Sequence, residues 1–198
     1  MSRFYPSNYK VFNLPNEWFF FNPLQRKNND FFFKIKGHIG IVFFHNNYES
    51  NCKFLEQIQP FVKWCKIKRI KFIVQCSIDW AIRNKPLGVL IDQNNNQMNN
   101  MLNYAVLKKK FLMVIKIHNF IEANSNKNKF NIFFISNVFP TISHPNRPKI
   151  NFFIFLSLCS FLKKKIVFAL GGVNRKNYTR LKNKNLDGFG GISYFIKK

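Results

Sequence analysis

The stretch FALGGVN, residues 168–174, does most to decide the fold of this chain. An apolar run of strand length, Ile166–Leu170, ends at two glycines, and Asn174 follows at a position that suits a helix N-cap. Two glycines after a strand let backbone N–H groups approach a ligand closely, and the helix start beyond them favours an anion. The stretch therefore predicts a strand, a turn and a helix, and the turn is either a phosphate site or a simple tight turn.

Seven further apolar runs of strand length occur along the chain, separated by polar segments that are mostly long enough to hold a helix. These runs are Trp18–Phe21, Gly40–Phe44, Ile70–Val74, Leu87–Ile91, Leu112–Ile117, Ile132–Ile135 and Gly188–Ile192. Most of them are continuous rather than alternating, which is typical of strands buried on both faces of a parallel sheet. Eight strands that alternate with helices predict an α/β fold, a (β/α)8 TIM barrel, with an open doubly wound sheet as the alternative.

Helices are predicted in the segments between these strands. Apolar residues in Glu49–Lys68 recur at helical spacing, and helices are also expected in Ile150–Leu162 and Asn174–Lys184. The chain ends soon after the eighth strand, so the eighth helix is expected to be short or absent. No linker or change in composition divides the sequence, so we expect one domain over residues 1–198, with residues 1–14 as a candidate N-terminal extension.

The composition is strongly basic, with 32 Lys+Arg against 8 Asp+Glu and a formal net charge of +24. A basic surface attracts phosphates, which suggests a nucleic-acid partner. The abundant residues Lys, Asn, Ile and Phe are also those specified by codons rich in A and T, so drift in base composition explains the charge without such a partner. Most of the 26 Phe fall inside the apolar runs, where they cannot stack on bases. We predict a phosphorylated small-molecule ligand and no nucleic-acid partner.

The cysteines indicate a reducing compartment. Cys52, Cys65, Cys76 and Cys159 form no CxxC pair, and no signal-peptide pattern stands at the N-terminus. The longest largely apolar stretch, Ile150–Leu162, is shorter than the ~20 residues that span a bilayer. We therefore expect a cytoplasmic protein with no membrane partner, and the sequence indicates no oligomeric state.

Three C-terminal segments resemble a known family. Ser136–His144 reads SNVFPTISH, Ala169–Asn174 reads ALGGVN, and Asp187–Ser193 reads DGFGGIS. They are similar, in this order and spacing, to the motifs SPVFPTxTK, ALGG(I/V) and DG(V/I)Ax(I/L)S of the thiamine-phosphate synthase family, which includes the TenI-like thiazole tautomerases. Weaker similarity at Gly88–Gln93 and Ile117–Asn119 brings the coverage to most of the chain.

The resemblance implies a role in thiamine biosynthesis. Synthases of this family join hydroxymethylpyrimidine pyrophosphate to thiazole phosphate and release pyrophosphate, with Mg²⁺ neutralising the leaving group. Two alternatives remain open for this chain. One is a TenI-like thiazole-phosphate tautomerase, which acts on a thiazole phosphate alone, and the other is a non-catalytic barrel that binds a phosphorylated ligand.

The resemblance also implies roles for particular residues, all at the carboxyl ends of the strands. Thr141 and Ser143 would hold the thiazole moiety or its phosphate, and His144 stands where the family has a Lys that reaches the pyrophosphate. His144 and His118 are the candidate catalytic residues, as general bases or phosphate donors. The implied phosphate-binding residues are Gly171, Gly172, Gly191 and Ser193.

The sequence departs from the family at the positions that serve Mg²⁺ and pyrophosphate. The family's two metal-binding Asp positions are occupied here by Cys76 and Asn95, and neither offers the anionic oxygen that Mg²⁺ prefers. Phe44 replaces a basic position, and Lys116 replaces a Ser that contacts pyrophosphate. The usual metal site is therefore predicted to be weak or missing, unless Asp79 or Asp92 replaces its ligands.

Overall fold

Eight parallel strands close into a barrel in a computed structural model of the chain, which describes residues 13–25, 29–45, 51–91, 101–141 and 148–196. The strands are β1 (Glu17–Phe21), β2 (Gly40–Phe43), β3 (Phe72–Val74), β4 (Gly88–Ile91), β5 (Leu112–Ile117), β6 (Ile132–Ile135), β7 (Ile166–Leu170) and β8 (Gly188–Gly191). Each strand pairs with the next along the chain, and β8 pairs with β1. The predicted (β/α)8 barrel is confirmed.

Helices follow the strands and surround the barrel. They are α1 (Asn51–Gln57), α2 (Gln59–Ile67), α3 (Ile78–Asn84), α4 (Met101–Lys110), α5 (Phe120–Asn126), α6 (Phe152–Phe161), α7 (Arg175–Leu181) and α8 (Ser193–Ile196). The helix predicted over Glu49–Lys68 is two helices, because the chain breaks at Ile58 and Pro60 stands in the first turn of α2. The prediction of a short eighth helix is confirmed in the described part of the chain, where α8 has 4 residues.

The interior of the barrel is filled by aromatic rings, and glycines on neighbouring strands make room for them. Trp18 of β1 lies in register with Gly40 of β2 and Gly190 of β8. A Cβ atom on Gly40 would come 2.5 Å from the Trp18 ring. The rings of Phe134 and Phe168 stack with their centroids 5.2 Å apart. These side chains form a solid floor beneath the carboxyl ends of the strands.

A second apolar layer lies between the barrel and the helices. Between β1 and β2 the described residues form only two short 3-10 helices, Pro23–Gln25 and Asp30–Lys34. Phe32 from the second of these packs against Phe21, with ring centroids 4.7 Å apart, and against Phe61 of α2 at 4.8 Å. The 3-10 segment thus covers strands that an α-helix would otherwise cover.

Within the described ranges, every helix is too short or too polar to cross a membrane.

Candidate functional site

A cavity of about 650 Å³ opens at the carboxyl ends of the strands, where barrels of this type place their active sites. Its lining residues are Phe20, Phe44, Lys116, His118, Ser136, Asn137, Pro140, Thr141, Leu170, Gly171, Gly172, Val173, Asn174, Arg175, Lys176, Gly191, Ile192, Ser193 and Tyr194. The cavity therefore brings together six of the predicted residues: His118, Thr141, Gly171, Gly172, Gly191 and Ser193. The predicted Ser143 and His144 lie outside the described residues.

One wall of the cavity is the backbone turn after β7. Gly171 and Gly172 have φ angles of +92° and +64°, in the region that favours glycine. A Cβ atom on Gly172 would come 2.5 Å from the carbonyl oxygen of Pro140. The N–H of Phe139 donates to the carbonyl oxygen of Gly171 at 3.0 Å. The loops after β6 and β7 therefore pack as closely as backbone allows, and only glycine fits at this wall.

The start of α7 is fixed beside this wall. Asn174 and Asn177 form a capping box, in which each side-chain oxygen accepts the backbone N–H of the other, at 3.0 and 2.8 Å. The predicted N-cap is confirmed. The Asn177 amide also donates to the carbonyl oxygen of Gly172 at 2.9 Å, which holds the turn against the helix. Helix α7 itself is short, with 7 residues.

His118 follows β5 directly and is held at both its backbone and its ring. Its backbone N–H donates to Oε2 of Glu122 at 2.8 Å. Its Nδ1 lies 2.7 Å from the carbonyl oxygen of Ser136, which can only accept a hydrogen bond. The hydrogen of the neutral imidazole is therefore on Nδ1, and Nε2 is left as the basic atom.

Several lining residues were not predicted to bind a ligand, and three of them are Lys116, Ser136 and Asn137. Ser136 and Asn137 are buried, and the Ser136 hydroxyl donates to Oδ1 of Asn137 at 2.6 Å. Their place directly after a predicted strand was the available signal, because side chains at the carboxyl ends of barrel strands reach the mouth. Lys116 lies one residue from the end of β5, among many other lysines in the sequence.

On the side of the mouth formed by β2 and β3, the described residues offer few groups to an anion or a cation. Phe44 presents an apolar ring to the cavity, and Oε1 of the buried Gln75 accepts the backbone N–H of His45 at 3.2 Å. Cys76 is buried in the outer layer between the strands and the helices. Burial raises the pKa of the Cys76 thiol far above its ordinary value, so the thiol is neutral.

The described residues at and near the expected metal site do not offer the ligands that Mg²⁺ requires. A neutral thiol packed away from the mouth is not a ligand for a hard cation, which takes oxygen donors. Asp79 is exposed in the first turn of α3 and does not line the cavity. Asn95 and Asp92 lie outside the described residues. In the parts of the chain that the structure describes, no three His, Cys, Asp or Glu side chains come together as a metal site.

The charged groups around the cavity are basic. Lys116, Arg175 and Lys176 line it, and no Asp or Glu is among its described lining residues. Arg175 donates from Nε to Oε1 of Glu17 at 2.7 Å, and this hydrogen bond raises the pKa of Arg175. A cavity with this charge balance suits an anionic ligand.

A family model described as thiamine monophosphate synthase, TMP-TENI, matches residues 34–195 of the chain. No curated protein matches the sequence. A solved thiamine phosphate pyrophosphorylase from Pyrococcus furiosus is 16% identical with a TM-score of 0.67, over 91% of this chain and 87% of that chain.

Two further solved structures share the fold. A thiamine phosphate pyrophosphorylase from Bacteroides thetaiotaomicron is 11% identical with a TM-score of 0.55, over 93% of this chain and 86% of that chain. A tryptophan synthase from M. tuberculosis is 8% identical with a TM-score of 0.59, over 93% of this chain and 85% of that chain. At these identities the structures are evidence for the barrel alone.

Proposed function

Because this chain belongs to the thiamine monophosphate synthase family, we propose that its cavity binds a thiazole phosphate and that His118 moves a proton on that ligand. Membership of the family supports a function of the thiamine-biosynthesis type. Within it, the proposed reaction is that of a TenI-like thiazole-phosphate tautomerase. The main support for the proposal is that Nε2 is the basic ring nitrogen of His118 and that His118 lines the same cavity as Gly171 and Gly172.

The phosphate would lie against Gly171, Gly172, Gly191 and Ser193. The φ angles of the first two glycines turn the backbone between β7 and α7 toward the cavity in a way that other residues cannot adopt without strain. Gly191 is tight as well, since a Cβ atom there would come 3.3 Å from the carbonyl oxygen of Val173. Such a backbone lets a phosphate approach closely, and the Ser193 hydroxyl adds a hydrogen-bonding group.

His118 would supply the chemistry. Its Nε2 takes a proton from one position of the thiazole phosphate, and the imidazolium returns a proton at another position. While the ring is charged, Nδ1–H continues to donate to the carbonyl oxygen of Ser136. Only bonds to hydrogen break and form in this reaction, so it needs neither a metal ion nor a second substrate.

The synthase reaction is the second candidate, and the description of the matching family favours it. A cavity of about 650 Å³ also has room for more than one small ligand. In that reaction hydroxymethylpyrimidine pyrophosphate and thiazole phosphate are joined and pyrophosphate is released. The poor fit of the described residues to Mg²⁺ counts against it. For either reaction we propose the cytoplasm as the compartment, which suits the free cysteines.

The test is proton exchange on the thiazole phosphate in deuterated water, followed by NMR. The wild-type protein should bind the ligand and bring deuterium into it. His118→Asn should lower the exchange rate about 10²–10⁴-fold, since a positioned base contributes that much, and leave the affinity nearly unchanged. Glu56→Gln is the control, because it removes another proton acceptor from an exposed position of α1 that does not line the cavity.

Other results would overturn the tautomerase proposal in distinct ways. Binding without exchange would make the protein a non-catalytic phosphate-ligand-binding barrel. Release of pyrophosphate when hydroxymethylpyrimidine pyrophosphate is added would make it a synthase. Failure to bind the thiazole phosphate at all would remove the ligand assignment itself.

A further inference from the structure

We propose that the outer face of α5 and α6 binds an anionic lipid surface, with apolar side chains inserted between the headgroups and lysines beside the phosphates. The apolar part of this α5–α6 face consists of Phe120, Ile121, Phe153, Ile154 and Phe161. None of these residues lines the cavity, so the inference is independent of the proposed function.

Helix α6 is apolar on all sides, although the barrel covers only one of them. Its sequence, FFIFLSLCSF, contains no charged residue. Phe155, Leu158 and Cys159 are buried in the outer layer, whereas Phe153 and Ile154 are exposed. A helix that is apolar all round is normally covered all round. The exposed side of α6 therefore indicates a surface that binds something further.

The start of α5 extends the apolar surface of α6. The rings of Phe120 and Phe161 lie with their centroids 5.8 Å apart. Ile154 lies on the same side of α6 as Phe161, because positions seven apart share a helix face. Ile121 and Phe153 are 79% and 75% exposed, the highest values among the large apolar residues of the described ranges. A contiguous exposed apolar surface of this kind marks an interaction site.

Lysines adjoin the apolar residues at the carboxyl ends of the two helices. The Nζ atom of Lys127 lies 3.9 Å from the centroid of the Phe161 ring, and the exposed pair Lys163–Lys164 follows α6. Burial and the positive charges of Lys108 and Lys127 lower the pKa of Lys165. Like charges thus lie together at this end of the α5–α6 face. Anionic headgroups would relieve their repulsion and attract each lysine near the surface.

The charge of the face favours an anionic lipid over a second copy of the chain. The sequences of α5 and α6 contain one carboxylate, Glu122. Its oxygens accept the backbone N–H of His118 at 2.8 Å and the side-chain amide of Asn119 at 2.9 Å. A second copy would therefore bring lysines toward lysines, between chains that each carry a formal net charge of +24. A lipid surface supplies an apolar layer for the exposed side chains and phosphates for the lysines.

The proposal revises the sequence-based expectation of no membrane partner, which depended on length. The stretch Ile150–Leu162 is too short to span a bilayer, but a helix that lies in the interface does not need to span it. The sequence did not show that the outer side of this stretch remains exposed, or that the start of α5 lies beside it.

The experiment is co-sedimentation of the whole protein with vesicles, made of phosphatidylcholine alone or of phosphatidylcholine and phosphatidylserine in equal amounts. We expect binding to the mixed vesicles only, and weaker binding as salt is added, because salt screens the charges. Ile121→Ser should weaken binding about tenfold, as expected for loss of one inserted apolar side chain. Ile67→Ser is the matched control and should leave binding nearly unchanged, since Ile67 is 67% exposed but lies on α2, between β2 and β3.

A matched pair of lysines tests the contribution of charge. Lys164→Gln removes one positive charge beside α6 and should weaken binding to the mixed vesicles about fivefold. Lys63→Gln removes the same charge from an exposed position of α2 and should leave binding nearly unchanged. All four substituted residues are exposed, so the thermal midpoints should match that of the wild type. A loss of binding is then distinguishable from a loss of folding.

Four results would overturn the proposal. The first is no binding to the mixed vesicles. The second is equal weakening within either matched pair, which would show that net charge rather than this face attracts the lipid. The third is a dimer in sedimentation equilibrium that Ile121→Ser dissociates, which would assign the face to a second copy. The fourth is binding of poly-glutamate that Ile121→Ser abolishes, which would assign the face to an acidic protein.

Discussion

The two sides of the barrel mouth are built on different principles. On the side of β6, β7 and β8, the cavity is walled by backbone, with Gly172 packed against Pro140 and the capping box of α7 behind it. On the side of β2 and β3, the cavity meets the ring of Phe44, while the amide oxygen of Gln75 is used by His45 and the Cys76 thiol is packed among helices.

The two sides differ in what defines them: backbone conformation on the glycine side, and the choice of side chains on the side of β2 and β3. The glycine side is held in its conformation by hydrogen bonds and close packing, so the proposed phosphate would bind there without rearrangement. Among the residues that the structure describes, the opposite side has no cluster of carboxylates for a metal ion, and an apolar ring stands at Phe44. The basic residues that line the cavity are Lys116 of β5 and, at the start of α7, Arg175 and Lys176. The two sides should therefore respond very differently to substitution.

The largest effect is expected from Cys76→Asp, which restores a carboxylate at the position where the family binds metal. Because the side chain is 4% exposed and packed in the outer layer, the charge would be buried without a partner. We expect the free energy of unfolding to fall by about 3–5 kcal/mol in urea titrations. Cys76→Ser is the control and should cost less, about 1–3 kcal/mol. A stable Cys76→Asp protein that Mg²⁺ stabilises further would show that this position does reach the mouth.

The next effect is expected from Gly172→Ala on the opposite side. The methyl group would meet the carbonyl oxygen of Pro140 at 2.5 Å, at a φ angle of +64°. We expect a loss of about 2–3 kcal/mol in unfolding free energy, together with loss of thiazole phosphate binding in calorimetry. Gly37→Ala is the matched control, because nothing lies within 4 Å of a Cβ atom there, and it should change stability by less than about 0.5 kcal/mol. Unchanged affinity for thiazole phosphate in Gly172→Ala would contradict the proposed phosphate site at Gly171 and Gly172.

The smallest change in unfolding free energy, when it is taken over a single pH unit, is expected from two buried thiols in the outer layer behind the two sides of the mouth. Burial raises the pKa of the Cys65 thiol in α2 and of the Cys159 thiol in α6 from 9.0 to about 12. The folded protein holds these protons more tightly, so the stabilisation is complete below pH 9.0 and is lost as the pH rises toward about 12. Each thiol should contribute a slope of about −1.4 kcal/mol per pH unit in this window.

Urea titrations of alanine variants at several alkaline pH values test whether the Cys65 and Cys159 thiols contribute equally. Cys65→Ala and Cys159→Ala should each remove a similar part of the alkaline loss, while Cys52→Ala, an exposed thiol, should remove none. If only one buried thiol contributed, the outer layers behind the two sides would differ as well as the mouth.

The sequence predicted most of the fold because strands buried on both faces leave continuous apolar runs. Leu112–Ile117, Ile132–Ile135 and Ile166–Leu170 have the predicted bounds. The 3-10 segment Asp30–Lys34 was not predicted, because it depends on Phe32 packing against distant rings rather than on local preference. The break between α1 and α2 was missed although Pro60 marks it.

Site residues could be predicted from the sequence where the backbone requires glycine. They could not be predicted where the role depends on whether a side chain points into or out of the barrel. Gly171 and Gly172 are recognisable in sequence because few other residues tolerate their conformation. Lys116 resembles any other lysine until the strand register shows that it points inward. Cys76 occupies a metal position by motif, yet a shift of one residue along a strand exchanges the inner and outer faces.

The short helix α8 begins where the closure of the barrel meets the proposed ligand site. The last strand meets the first through only three residue pairs, Glu17–Phe189, Trp18–Gly190 and Phe19–Gly191, with 4 helical residues beyond it. The same segment supplies Gly191 and Ser193 to the cavity. A phosphate held there would tie the final strand to the rest of the cylinder. Local opening at this junction would release the phosphate, so saturating ligand should suppress that opening in proportion to its affinity.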